Sequence, residues 1–156
     1  MLINLQTIQQ CTQDVHPITI MRIMTVETRK NPYQIGFRIV KNKKEYYIPN
    51  QPRNLAQAKY MANWLYKNGY AFDAGIAQIN STNFSRFNVT PDNVFDACTN
   101  IRVAGVILKE FYVRARQNIN DDQQALQAAI SGYNSGKFNS TLGRQYVAKV
   151  MQVSLN

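Results

Sequence analysis

The segment from Cys98 to Gln117 constrains the fold more than any other. Ile101, Val103, Ala104, Val106, Ile107, Leu108 and Phe111 put apolar side chains nearly all the way round a helix. Such a helix has no face to spare for solvent, so the pattern predicts a central, buried element that the rest of the chain must enclose. Gly105 within it predicts close approach of another backbone. At 156 residues the chain is long enough to build that enclosure as one domain, 1–156.

The remaining elements follow from periodicity and punctuation. Leu2 to Gln10 reads as a short helix. Asp14 to Lys30 carries a second, with Pro17 suited to its first turn and Asn31-Pro32 forcing its end. Tyr33 to Val40 and Glu45 to Ile48, joined through Lys41-Asn-Lys-Lys, alternate as a two-stranded hairpin that must pack on helices to be stable. Asn54 caps a helix from Leu55 to Lys67 that ends at Asn68-Gly69, with Leu55, Ala58, Met61, Ala62 and Leu65 toward the core. A loop spans Tyr70 to Asn80, and Thr90-Pro91 opens a short helix. Asp121 opens a helix that Asn134-Ser-Gly136 breaks, and Arg144 to Val153 forms a last one. The expected fold is mainly α with a small β-hairpin, without repeats or low-complexity segments.

Composition narrows the function. Eighteen Lys and Arg against nine Asp and Glu give a net charge of +9, which implies an anionic partner such as wall polymer, nucleic acid or lipid headgroups. The basic residues are scattered apart from Lys41-Asn-Lys43-Lys44, and no zinc-finger spacing or Gly-Lys phosphate loop is present, so nucleic acid is not the expected partner. With two cysteines, no Cys-x-x-Cys pair and His16 as the only histidine, no metal site and no cofactor is expected, and His16 serves capping or packing. Cys11 and Cys98 are either buried thiols or one disulfide closing a long loop; the residues alone leave both open. MLINLQTIQQ lacks the charged start and apolar run of a secretory signal, and no stretch reaches the length of a membrane span. The chain therefore reads as soluble, either a mature form with a new initiator Met1 or one exported by another route.

One carboxylic acid stands out. Ile20, Ile23, Met24 and Glu27 fall at i, i+3, i+4 and i+7 on a single helix face. Three apolar residues bury that stripe, and the acid ends it, beside the negative end of the helix dipole. Both circumstances disfavour the ionised form. An acid that keeps its proton near neutral pH is what cleavage of a glycosidic bond requires. The plain alternative is a boundary glutamate paired with Arg29 or a lysine.

Three separated motifs give Glu27 a context: Val26-Glu-Thr-Arg-Lys-Asn-Pro32, Phe72-Asp-Ala-Gly-Ile-Ala-Gln-Ile-Asn80 and Ala129-Ile-Ser-Gly-Tyr-Asn-Ser-Gly136. In that order the chain resembles the lytic transglycosylases of goose-type lysozyme-like fold, and in particular the small ones serving type IV secretion and conjugation. That family carries a Glu-Ser-x-x-Asn-Pro helix end, a Gly-Leu-x-Gln-Ile-Asn loop and an Ala-x-x-x-Tyr-Asn-x-Gly helix end. The likeness runs from about Cys11 to Val153 and includes Gln51-Pro-Arg-Asn-Leu55, Asn68-Gly-Tyr-x-Phe-Asp73 and Phe95-Asp-x-Cys-x-Asn100. Thr28 departs from the usual Ser, and Ile76 and Ala77 stand where Leu and often Met occur.

The resemblance implies a lysozyme-like α+β domain and a peptidoglycan lytic transglycosylase with Glu27 as its acid and base. The product is a 1,6-anhydro-muramoyl end that opens the wall for a secretion or conjugation apparatus. It implies substrate binding by Gly75, Gln78, Asn80, Tyr133 and Asn134, and a structural role for Asp73. A catalytic role for Asp73 would instead make the protein a hydrolysing muramidase. A non-catalytic glycan-binding module of the same fold, and a phage or toxin-type effector, are further alternatives. The cysteines stand where the secretion-associated group often has a bridge, which implies a Cys11–Cys98 disulfide. The implied setting is the periplasm or cell envelope, with glycan strands and possible secretion-system components as partners, no membrane insertion, and a monomer.

Overall fold

A computed structural model describes residues 3–155. Among them are six α-helices and two small antiparallel sheets: α1 (Leu5–Cys11), α2 (Pro17–Thr28), β1 (Arg38–Lys41), β2 (Lys44–Tyr47), α3 (Leu55–Lys67), β3 (Asp73–Ala74), β4 (Ile79–Asn80), α4 (Ala97–Arg116), α5 (Asp122–Ser135) and α6 (Thr141–Met151). The mainly α expectation with a small β element therefore holds. The expected start of the first helix at Leu2 lies outside the described residues. Cys11 and Cys98 are both disulfide-bonded, as the resemblance implied, and no free cysteine is present among the described residues. No helix of the described residues is long and apolar enough to cross a membrane.

The chain divides into two compact units, one built from the residues up to Val26 with those from Ala104 onward, the other Glu27–Val103. In the first, Ile8, Ile20, Ile23, Met24, Leu108 and Ile130 are fully buried. The Ile20-Ile23-Met24 stripe is thus apolar core, as its spacing demands. Gly105 is needed for a different reason from the expected one: a Cβ there would stand 2.3 Å from Thr12 Oγ1, so a side chain rather than a second backbone makes the approach. Asp121 caps α5 by accepting from Gln124 N, and Gly136 ends it in the left-handed region at φ 75°.

In the second unit, β1 and β2 pair in the register Arg38↔Tyr47 through Lys41↔Lys44. Asn42 and Lys43 supply the two positive φ values, 53° and 65°, that a two-residue turn demands. Val40 and Ala71 exchange backbone hydrogen bonds at 2.9 and 2.7 Å, tying the hairpin to the segment before β3. Ile35, Ile39, Phe72, Ile76, Ile79 and Phe84 fill this core, with Phe72 and Phe84 edge to face at 5.8 Å.

Three readings are corrected here. Leu55 is 40% exposed, because it opens α3 before the helix reaches the core. The expected loop at 70–80 contains the β3–β4 hairpin, whose two-residue strands are too short to show an alternation. No helix starts at Thr90-Pro91; Asn93 Oδ1 accepts from Thr90 N at 2.8 Å, and this local bond holds a turn where a helix would begin.

Candidate active site

The end of α2 is built to hold one side chain in place. Glu27 occupies its last turn, half-buried. The next residue, Thr28, is buried, and its hydroxyl donates to the Ile76 carbonyl at 2.8 Å. The helix stops at Thr28 rather than at Asn31-Pro32, because Arg29 and Lys30 both take the left-handed region, at φ 52° and 65°. Neither is glycine, so each costs roughly 1 kcal/mol. The strain sits two and three residues beyond Glu27 and turns the chain sharply away from the helix axis.

The segment 73–80 is held from beneath by Asn100, a polar residue only 1% exposed. Its Oδ1 accepts from Ala77 N at 2.8 Å, and its Nδ2 donates to the carbonyls of Ala74 at 2.9 Å and Val94 at 2.8 Å. All its hydrogen-bonding capacity but one lone pair goes into the loop and its neighbour. Gly75 lies directly over it, at φ 85°, where a Cβ would come 2.1 Å from Asn100 Nδ2. The glycine is therefore accounted for by the protein's own interior. Gln51 plays a matching part on the other side: its Oε1 accepts from Ile35 N at 3.0 Å and its Nε2 donates to Ile35 O at 2.5 Å.

These supports shape a cavity of about 300 Å³. Glu27, Asp73, Gln78 and Asn80 all line it, together with Gln34, Gly36 and the hairpin residues Phe37, Arg38 and Val40. Gln78 adopts φ 57° and spends both amide hydrogens on the carbonyls of Gln34 (3.1 Å) and Gly75 (3.0 Å). What it has left to offer a ligand is its Oε1 acceptor. Asn80 donates to Asp73 Oδ1 at 2.9 Å and accepts from the Thr82 backbone and hydroxyl at 3.0 and 2.7 Å. It is a brace for Asp73 with one N–H to spare. Burial pushes the Asp73 carboxyl above its ordinary value of 3.8, while the Asn80 bond and the Arg38 charge pull it back down.

Of the sequence-derived candidates, Glu27, Asp73, Gln78 and Asn80 thus line one cavity, and Gly75 shapes the loop beside it. Tyr133, half-buried, and Asn134, exposed, lie in the last turn of α5, which belongs to the other unit. Phe37, one of the aromatics (with Tyr33, Tyr46, Tyr47 and Trp64) that the sequence offers for stacking on a sugar ring, lines the same cavity. Sequence reasoning gave no role to Asn100, Gln51 or Arg38. A signal existed for Asn100, which closes the Phe95-Asp-x-Cys-x-Asn100 segment of the family likeness; none existed for Arg38, one cation among many. Among the described residues, no His, Cys, Asp and Glu cluster could hold a metal ion.

Residues 4–150 match the transglycosylase SLT domain family. The chain belongs to that family, whose lysozyme-like, mainly α fold is the one expected. It is 37% identical over 131 residues to the type IV secretion system protein virB1 of Brucella abortus biovar 1 (strain 9-941), covering 83% of this chain and 52% of that protein. It is 34% identical over 143 residues to protein virB1 of Agrobacterium fabrum, covering 91% and 55%. A third relative, protein virB1 of Rhizobium radiobacter, is 31% identical over 142 residues, covering 91% and 56%. The chain spans about half the length of these relatives. No solved structure matches it.

Proposed function

We propose that this chain is the catalytic domain of a peptidoglycan lytic transglycosylase that cleaves the β-1,4 bond between N-acetylmuramic acid and N-acetylglucosamine. The observation that carries the reading is a half-buried Glu27, fixed by the buried Thr28 next to it, lining one cavity with Gln78 and Asn80 in a chain of the SLT family. Glu27 enters the reaction protonated and gives its proton to the glycosidic oxygen as the C1–O bond breaks. The resulting carboxylate then takes the proton of the muramoyl C6 hydroxyl. O6 closes on C1, leaving a 1,6-anhydro sugar and a restored acid, and no water is consumed. One acid/base group is enough because the final nucleophile lies within the substrate, unlike the two-carboxylate scheme of hydrolysis. Gln78 Oε1 accepts from an N-acetyl N–H of the glycan, Asn80 keeps Asp73 in place, and Gly75 gives the loop its turn. Tyr133 and Asn134 join the binding residues on the strength of their motif.

The virB1 names of the relatives support a further part of the reading, in which the domain opens the wall locally for a type IV secretion apparatus. The proposal also has it act as a monomer in the periplasm. The test is digestion of purified sacculi with the parent and with Glu27→Gln. Anhydro-muramoyl ends from the parent, and a rate lower on the order of 10²- to 10⁴-fold in the variant, are expected. Only reducing ends would transfer the reading to a hydrolase, for which Asp73 in the same cavity is the available second carboxylate. Equal clearing by parent and variant would remove Glu27 from the chemistry.

A further inference from the structure

The β1–β2 hairpin carries features that neither its packing nor the acid/base chemistry uses. Phe37 and Tyr47 stack on one another, with ring centroids 5.6 Å apart and planes 25° apart, yet remain 65% and 62% exposed. Exposing two large rings side by side forfeits apolar burial that the fold could otherwise have gained. Phe37 also lines the cavity that contains Glu27, so the ring pair borders the cavity mouth. Beside it Arg38, another lining residue, holds Glu45 at 2.9 Å. That ion pair is mostly solvated, its side chains 60% and 50% exposed, and pairs of this kind contribute little. Arg38 is therefore kept extended at the mouth at small cost and is free to exchange Glu45 for another carboxylate. Beyond it the hairpin tip presents Lys43 and Lys44, both exposed, roughly 10 Å further along the strand direction.

We infer that this hairpin is a substrate-reading lip of the glycan site: Phe37 and Tyr47 stack against one sugar ring, and Arg38 binds a carboxylate on the peptide which that sugar carries. This rests on the glycan reading above and narrows it to peptide-bearing strands. Stacked aromatic faces suit the apolar face of a pyranose and leave its hydroxyls in water. The planar guanidinium suits a carboxylate. A carboxylate fixed directly to the sugar reaches Arg38 alone, whereas the several carboxylates of a peptide stem match cations that continue from Arg38 to the tip.

The inference is tested by calorimetric binding of the full chain to three soluble probes: a disaccharide with its peptide stem, the same molecule with the peptide carboxylates capped as amides, and the peptide-free disaccharide. The peptide-bearing probe should bind about fivefold or more tightly than either of the others. Arg38→Gln should abolish that difference and Arg38→Lys should restore part of it. Phe37→Ala with Tyr47→Ala should weaken all three probes alike by roughly tenfold, in the range for loss of a stacking contact. Tyr60→Ala, at a ring 77% exposed and outside the cavity lining, should change nothing. Equal affinity of the parent for peptide-bearing and capped probes overturns the proposal. So does a preference that survives Arg38→Gln, and so does tight binding of the peptide-free probe, which would make the sugar's own carboxylate the ligand. Binding is read without bond cleavage. Sacculi that yield no anhydro ends would sink the enzyme reading and leave the lip standing, and the reverse result is equally distinguishable.

Discussion

Replacing Gly75 by Ala should be among the most damaging single-methyl changes in this protein, and the cost can be worked from its surroundings. The new Cβ would stand 2.1 Å from Asn100 Nδ2, 2.8 Å from its Cγ and 2.9 Å from the Val94 carbonyl oxygen. Asn100 would have to leave. It is 1% exposed and makes three hydrogen bonds, to Ala77 N, Ala74 O and Val94 O. At about 1 kcal/mol per bond, with stranded buried partners raising the figure, its displacement costs about 3–4 kcal/mol. The φ of 85° adds about 1–2 kcal/mol for a residue with a Cβ. The sum, about 4–6 kcal/mol, approaches the whole stability of many domains.

A double-mutant cycle separates this account from a general intolerance of the loop. Asn100→Ala alone should cost about 3–4 kcal/mol for the same three bonds. In that background the clash with the amide no longer exists, so Gly75→Ala should cost only its backbone strain and the Val94 contact, about 2 kcal/mol. Urea unfolding followed by circular dichroism gives all three numbers. The expected coupling is about 2–4 kcal/mol. Additivity within about 0.5 kcal/mol, or a Gly75→Ala cost under about 1 kcal/mol, would refute the reasoning.

Two further outcomes follow from the same frame. Thr28→Val should lose about 1–3 kcal/mol of stability by stranding the Ile76 carbonyl, and should slow sacculus digestion, whereas Thr28→Ser should stay within about 1 kcal/mol of the parent in the same unfolding assay. For Asp73, burial raises the folded carboxyl above 3.8, so the folded state holds this proton more tightly than the unfolded chain does. The stability this contributes is complete below the ordinary value and is lost as pH rises through the raised folded one. Asp73→Asn abolishes that loss. The parent-minus-variant stability, measured by urea titration between about pH 3 and 7, should therefore fall as pH rises; a flat or rising difference would contradict it.

Much of this was legible in the sequence because the relevant signals are local. Asn54 and Asp121 cap α3 and α5, as their side chains announce, and the Ile20-Ile23-Met24 stripe is buried. The three motifs point to Glu27, Gln78 and Asn80, and all three line the cavity. What stayed hidden depends on residues far apart in the chain. Nothing near Asn100 says that it will reach 23 and 26 residues back to Ala77 and Ala74. Gln51 bonds Ile35 across 16 residues. Pro32 is a strong signal for the end of α2, but two non-glycine residues in the left-handed region end it earlier, a choice that local preference opposes and the Thr28–Ile76 bond favours. Even the purpose of Gly75 could not be read, since a glycine in a loop looks the same whether a ligand or Asn100 lies against it.

The residues that brace the cavity share a chemistry, and it bears on the catalytic reading. Gln51, Gln78, Asn80 and Asn100 each make two or three hydrogen bonds, and all four are uncharged amides. A lysine or arginine used as a brace in the same place would fix the loops equally well but would pull a neighbouring carboxyl toward its ionised form. Amides hold the geometry without adding a charge; the Asn80 bond pulls the Asp73 carboxyl down, but burial is the larger effect and raises it. Among the residues lining the cavity the one cation is Arg38, and its guanidinium is tethered to Glu45 on the strand beside it. The same arrangement that keeps Arg38 available at the mouth therefore limits its pull on the acids within. Positioning by amides and a cation confined to the lip both suit the proposed chemistry, in which a glutamic acid gives its proton to a glycosidic oxygen.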